Sequence, residues 1–198
     1  MATIDLELIQ KLRTMTGAGM MDCKKALQET DGDIEKAVEV LRKKGAAIAK
    51  KRASHATKEG IIYAYIHPGD RLGVMIEIDC ETDFVARTEE FKQFAQDMCM
   101  QIAATSPQFV GPEDVDQDFL DKERARFVEE LIAEKKPSGV IDKIVEGKLK
   151  KLFSTICLLQ QPFVKNDQTT VEEVLKNLIG KLGENIKIKR FCRFEIGE

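Results

Sequence analysis

Ile61-Ile62-Tyr63-Ala64-Tyr65-Ile66-His67, then Pro68-Gly69-Asp70, then Arg71-Leu72-Gly73-Val74-Met75-Ile76-Glu77-Ile78-Asp79 is the stretch on which the fold turns. Its first limb is rich in β-branched and aromatic residues, which suit a pleated, half-buried surface. Its second limb alternates Leu72, Val74, Ile76 and Ile78 with Gly73, Met75, Glu77 and Asp79, the period of a strand with one buried face. Pro68-Gly69-Asp70 between them is turn chemistry. The stretch reads as a β-hairpin.

Upstream, the period is helical. Leu6, Leu8, Ile9 and Leu12 form one apolar stripe, interrupted by Thr16-Gly17-Ala18-Gly19. A second helix is expected from about Met20 to Glu29, with Cys23, Ala26 and Leu27 inward. Asp31-Gly32 stops it, Asp33 is a natural N-cap, and Ile34, Ala37, Val38 and Leu41 line a third helix that Gly45 is expected to close. Downstream, helices are expected at 88–104, 117–134, around Ile141 to Phe153, and at 171–181. The C-terminus returns to β across 185–196, with Ile186, Ile188, Cys192, Phe194 and Ile196 on the core side and a local bulge at Arg190 and Phe191. The fold class is α+β: an N-terminal three-helix bundle, then an antiparallel three-stranded sheet backed by helices on one face. The expected division is a three-helix module at 1–45, a basic linker at 46–59 and an α+β core at 60–198.

Length and composition narrow the function. The chain has 198 residues, 43% hydrophobic and 33% charged, the make-up of a globular protein. No apolar run reaches the roughly 18 residues of a membrane span, and the acidic N-terminus lacks the pattern of a secretory signal. Five cysteines, at 23, 80, 99, 157 and 192, show no CxxC spacing, and only His55 and His67 could assist a metal. Neither a structural metal nor a disulfide framework is expected, and a reducing cytoplasm fits. There is no P-loop, no nucleophile elbow and no dinucleotide fingerprint, so no catalytic residue and no cofactor is expected.

The net charge of −3 speaks against wholesale nucleic-acid binding, although residues 42–58 carry seven Lys/Arg and no acid. Such a run is a solvated face or a polyanion site. The sharpest local feature is Glu77-Ile78-Asp79-Cys80-Glu81-Thr82-Asp83-Phe84-Val85. As a calcium loop opening at Asp79 it fails, because the sixth position needs Gly and is Phe84. It remains either a solvated acidic strand edge with Phe84 in the core, or an exposed corner presenting an acid beside an aromatic for protein binding. Met20-Met21, after the glycine turn, are core gap-fillers or, with Leu12 and Arg13, a small exposed patch.

Residues 12–27, Leu12-Arg13-Thr14-Met15-Thr16-Gly17-Ala18-Gly19-Met20-Met21-Asp22-Cys23-Lys24-Lys25-Ala26-Leu27, resemble the N-terminal signature of the elongation factor Ts family. Residues 77–87, centred on Thr82-Asp83-Phe84-Val85, resemble its second signature. Gln161-Pro162-Phe163-Val164 and the terminal Arg193-Phe194-Glu195-Ile196-Gly197-Glu198 resemble later family stretches. Asp79 departs from the family's more usual Asn. The chain looks like a short form lacking the coiled-coil insertion of longer members.

The resemblance implies a guanine-nucleotide exchange factor for elongation factor Tu, active in translation elongation without covalent chemistry. It implies that the first module is similar to ubiquitin-associated (UBA-like) bundles and docks on the partner's GTPase domain through Arg13, Met20 and Met21. It also implies that Thr82, Asp83, Phe84 and Val85 approach the partner's magnesium and phosphate site. A homodimer is expected, because three strands leave exposed edges and longer relatives carry two similar core halves. Two rivals stand beside this reading. One is an RNA- or ribosome-binding module using residues 42–58 with Lys187, Lys189, Arg190 and Arg193. The other is a ubiquitin-like-domain adaptor resting on the three-helix module alone.

Overall fold

The computed structural model describes residues 4–197. Its α+β architecture is built on a three-stranded antiparallel sheet of β1 (Glu59–Ile66), β2 (Leu72–Cys80) and β5 (Ile186–Glu195), with β2 in the centre. The chain divides into two compact units. The first takes in the chain through Ile62, with Glu77–Ala95 and Glu173–Ile188. The second takes in Tyr63–Ile76, Gln96–Glu172 and the chain from Lys189.

The first unit opens with three helices, α1 (Leu6–Thr16), α2 (Met20–Glu29) and α3 (Ile34–Arg52). Asp5 caps α1 by accepting from the Glu7 N–H, and Asp33 caps α3 by accepting from the Lys36 N–H at 3.0 Å. Both carboxylates satisfy backbone donors that a helix start leaves open. Gly17 takes a left-handed conformation (φ 66°) and donates its N–H to the Arg13 carbonyl at 2.7 Å, ending α1. Ile9, Leu12, Cys23, Ala26, Leu27 and Ala37 form the bundle's core, as the periodicity predicts.

Gly45 does not close α3. The helix runs through it to Arg52, so the basic stretch begins as helix. The reason lies in α8 (Val171–Leu182): a Cβ on Gly180 would sit 2.8 Å from the Gly45 Cα, and a Cβ on Gly45 would sit 3.4 Å from the Lys176 carbonyl. The two glycines are where α3 and α8 come close enough for backbones to touch, and Arg42 pairs with Glu173 along the same contact. The lost helix propensity of Gly45, about 1 kcal/mol, is offset by this packing. Also in this unit are the one-turn helix α4 (Asp83–Ala86) and the start of α5 (Glu89–Thr105).

In the second unit, α6 (Gln117–Ala133) and α7 (Ser138–Ile156) pack as a helical pair around Phe127, Leu131, Val145 and Leu149. Lys148 bonds Glu130 across the pair at 2.7 Å. A small hairpin that periodicity did not announce, β3 (Pro162–Phe163) with β4 (Asn166–Thr170), follows. It is tied to α5 by fully buried Gln101, which donates to the Gln161 side chain at 3.1 Å and the Pro162 carbonyl at 3.2 Å and accepts from the Val164 N–H at 2.8 Å. A buried amide is stable only when its groups are paired in this way.

The sheet is covered on one side. Val74, Ile76, Ile78 and Cys80 of β2 are buried, whereas Ile66 and Met75 are exposed. β5 departs from expectation. Ile186 and Ile188 are buried, but Lys189 and Arg190 are both exposed and the alternation restarts one residue out of step. Phe191 and Arg193 turn partly inward, while Cys192, Phe194 and Ile196, expected in the core, are exposed. A one-residue slip transfers every later side chain to the opposite face, and it falls where the Arg190-Phe191 conflict in the pattern suggested a bulge.

Candidate functional site

Strand β2 ends at Cys80, and two residues later the chain turns into α4. Thr82 is extended (φ −129°, ψ 153°) and caps this turn, its Oγ1 accepting from the Val85 N–H at 3.5 Å. Thr88 closes it, donating its hydroxyl to the Val85 carbonyl at 2.8 Å and accepting from the Phe91 N–H at 3.3 Å, which starts α5. Asp83 pairs with Arg87 at 2.7 Å. Ala86 is buried and Val85 half-buried, so the turn is seated on that side. Phe84 projects from the other side with 78% of its surface exposed. That excludes the reading with Phe84 in the core.

The corner is bonded to the turn between α8 and β5, a relationship no sequence pattern announced. The Thr82 N–H and hydroxyl donate to the two oxygens of Glu184 at 3.0 and 2.6 Å. Reciprocally, the Asn185 N–H donates to Glu81 at 2.6 Å. Glu81 also accepts from Arg52 at 3.2 Å and lies 3.1 Å from His55 Nδ1. The Asn185 side chain, itself buried, donates to the His55 carbonyl at 2.7 Å. The Asn185 amide, and secondarily His55 and Arg52, hold the Glu81 carboxyl below the usual carboxylate range.

A pKa lowered in the folded chain stabilises it fully above the ordinary carboxylate range and loses that stabilisation as pH falls through the lowered value. Acidification is therefore expected to release the Asn185 amide. Hydrogen exchange at Asn185, corrected for its intrinsic pH dependence, should rise once the pH falls below the ordinary carboxylate range, and Glu81→Gln should abolish that rise. A pH-independent protection factor would contradict the assignment.

Of the N-terminal residues, Arg13 and Met20 line one open cleft of about 790 Å³, together with Thr14, Gly17, Glu90 and Lys181. Lys181 bonds Glu90 at 3.3 Å along its wall. Met21 is outside the cleft and more exposed than Met20, 64% against 37%. Both methionines thus reach solvent. Glu90 lies in the first turn of α5, six residues after Phe84, so the short run of chain from α4 into α5 carries both the aromatic and one wall of the cleft.

Comparison with known proteins adds a decisive observation. The sequence profile described as "Elongation factor TS" matches residues 7–198. The chain is 54% identical over 195 residues to the elongation factor Ts of Carboxydothermus hydrogenoformans, covering 98% of this chain and 90% of that one. It is 53% identical to that of Thermotoga neapolitana, with 98% of each chain covered, and 52% identical to that of Desulfosudis oleivorans over the full length of both. The chain belongs to the elongation factor Ts family.

The two stretches that resemble signatures of the elongation factor Ts family fall at the α1–α2 turn and at the β2–α4 corner, both in the first unit. The sequence singles out Thr82, Asp83, Phe84, Val85, Arg13, Met20 and Met21 as candidates and passes over Glu184 and Asn185, which bond the corner. Their one local signal is Gly183, left-handed at φ 74°, which marks a sharp turn before the last strand.

Proposed function

We propose that the chain is a guanine-nucleotide exchange factor for elongation factor Tu, working in the cytoplasm during translation elongation. The observation that carries this, beside family membership, is an aromatic side chain left 78% exposed on a hydrogen-bonded corner. Thr82, Asp83, Phe84 and Val85 disturb the partner's magnesium and phosphate site, and Arg13, Met20 and Met21 dock the N-terminal module, residues 1–45, on the GTPase domain. No covalent bond is made or broken.

Linkage dictates the energetics: a ligand that weakens nucleotide binding must bind the empty GTPase more tightly by the same factor. A thousandfold faster release requires about 4 kcal/mol off the barrier. Burying Phe84 in the complex supplies about 1.5–3 kcal/mol. Loosening the magnesium that neutralises the phosphates supplies the remainder. Fluorescent GDP preloaded on elongation factor Tu is expected to leave much faster when catalytic amounts of the chain are added. An unchanged release rate would sink the proposal.

Nucleic acid is not required in this reading. Within the basic run, Arg42, Lys43, Lys44 and Arg52 all face acids: Glu39 and Glu173, Glu39, Asp22, and Glu81 respectively. Four of the seven cations in the run are thus already paired within the chain.

The uncovered sheet face of the second unit supports a homodimer. Ile66, Met75, Phe194 and Ile196 are exposed there, and Ile66 lies across Gly73, whose Cβ position is 3.0 Å from the Ile66 side chain. A second copy would bury the same residues about a two-fold axis. Light scattering under reducing conditions is expected to give twice the 22.3 kDa chain mass, and Phe194→Asp to halve it. A wild-type mass of one chain at every concentration would refute the dimer.

A further inference from the structure

The corner does not hold its own shape. A four-residue helix has no cooperative length to stabilise it, its cap bond from Val85 to Thr82 is long at 3.5 Å, and its most apolar side chain, Phe84, packs against little. What fixes it is the reciprocal exchange of carboxylates with residues 102 to 104 positions away. Glu184 takes both donors of Thr82, and Glu81 takes the Asn185 N–H. Charge-assisted bonds of 2.6–3.0 Å are about twice as strong as neutral ones.

The platform beneath is itself anchored. Asn185 donates its side-chain amide to the His55 carbonyl just beyond α3, and Arg52 in the last turn of α3 donates to Glu81. The corner, the α8–β5 turn and the end of α3 are thus joined through two carboxylates within the first unit.

We infer that Glu184 and Glu81 are positioning residues for nucleotide exchange: by clasping Thr82 and Asn185 they present Phe84 in a fixed attitude before the partner arrives. This inference rests on the exchange reading given above. Holding a binding element in its working conformation removes the ordering cost from the moment of use. Here that element is needed when the nucleotide leaves, so the clasp acts on the limiting rate of release more than on docking through the N-terminal module.

The experiment is stimulated release of fluorescent GDP from elongation factor Tu over a range of concentrations of the full-length chain. Glu184→Ala is expected to lower the saturating rate about tenfold, the equivalent of about 1.4 kcal/mol, with the half-saturating concentration within about twofold. Glu184→Gln, which keeps one carbonyl acceptor, is expected to fall between. It carries the kinetic test if the alanine variant does not fold.

A double variant, Phe84→Ala with Glu184→Ala, is expected to be no slower than Phe84→Ala alone, because a clasp has nothing to present once the ring is gone. A merely structural role would make the two losses add. Full saturating rate in both Glu184 variants, or additive losses, would overturn the inference.

Failure of the exchange reading is distinguishable, because the unmodified chain would then not accelerate release at all. Amide exchange of the isolated chain tests the clasp in that case too. Faster exchange at Thr82 and Val85 in Glu184→Gln, with α1–α3 unchanged, supports it, and unchanged protection at Thr82 overturns it.

Discussion

Phe84→Ala is expected to slow stimulated GDP release by about 10- to 150-fold while leaving the melting temperature within about a degree or two of the parent. The first figure converts the about 1.5–3 kcal/mol of a buried Phe side chain at 1.36 kcal/mol per decade of rate. The ring is 78% exposed in the free chain, so its burial can occur only in a complex. The second figure follows from the same exposure, since surface substitutions away from packed features change stability by about 0.5 kcal/mol or less. Asp83→Ala removes two contributions at the corner together. It removes the Arg87 pair, an exposed ion pair worth at most about 1 kcal/mol of stability, along with any charge presented to the partner. If Phe84→Ala instead unfolds the chain, the ring is a packing residue after all. If it releases GDP at the parent rate, the corner is not the working element.

The largest effect on stability is expected at Gly60, in β1. A Cβ there would sit 2.2 Å from the Ile78 carbonyl oxygen and 2.8 Å from the Asp79 Cα. Both are backbone atoms of the central strand, which cannot swing aside as a side chain can. Its φ of 156° also lies in the region that side chains rarely adopt, so local strain adds to the steric contact. Gly60→Ala must therefore push β1 away from β2 near the strand end that leads into the Thr82 corner. Overpacking of this kind costs about 1–3 kcal/mol. With about 2–4 °C lost per kcal/mol in a chain of this size, the melting temperature is expected to drop by about 2–12 °C. Gly147→Ala is the matched control. It lies inside α7, nothing stands within 4 Å of its Cβ position, and alanine there is expected to stabilise by up to about 1 kcal/mol. Equal melting temperatures for the two variants would refute the argument from contact.

What could be read from the sequence was what neighbouring residues decide among themselves. The hairpin, the bundle's Leu12 and Leu27 core, the cap Asp33, the turn at Gly17 and the run of acids ending beside Phe84 rest on spacings of a few positions, whereas the roles expected of Thr82, Asp83, Phe84 and Val85 rest on the family resemblance. What could not be read depends on distant partners. Gly45 has the local signature of a helix stop, and only Gly180 explains why the helix goes through it. Glu184 is one acid among 34 in sequence, and becomes distinctive only opposite Thr82. The slip in β5 is an intermediate case. Arg190 and Phe191 betray a fault in the alternation, but apolar Phe194 and Ile196 suggest core, and only the observed slip places them on the uncovered face.

The distribution of thiols has a practical consequence. Burial pushes Cys80 and Cys157 up to about 11 and Cys99 up to about 12, and raises Cys23 as well. Those four are protonated and inaccessible at neutral pH, whereas Cys192 is exposed on β5. A maleimide dye should therefore attach at one position without mutagenesis. Since Cys192 shares its side of the strand with Phe194, the dye becomes a built-in gauge of whether that face is open or occupied in solution.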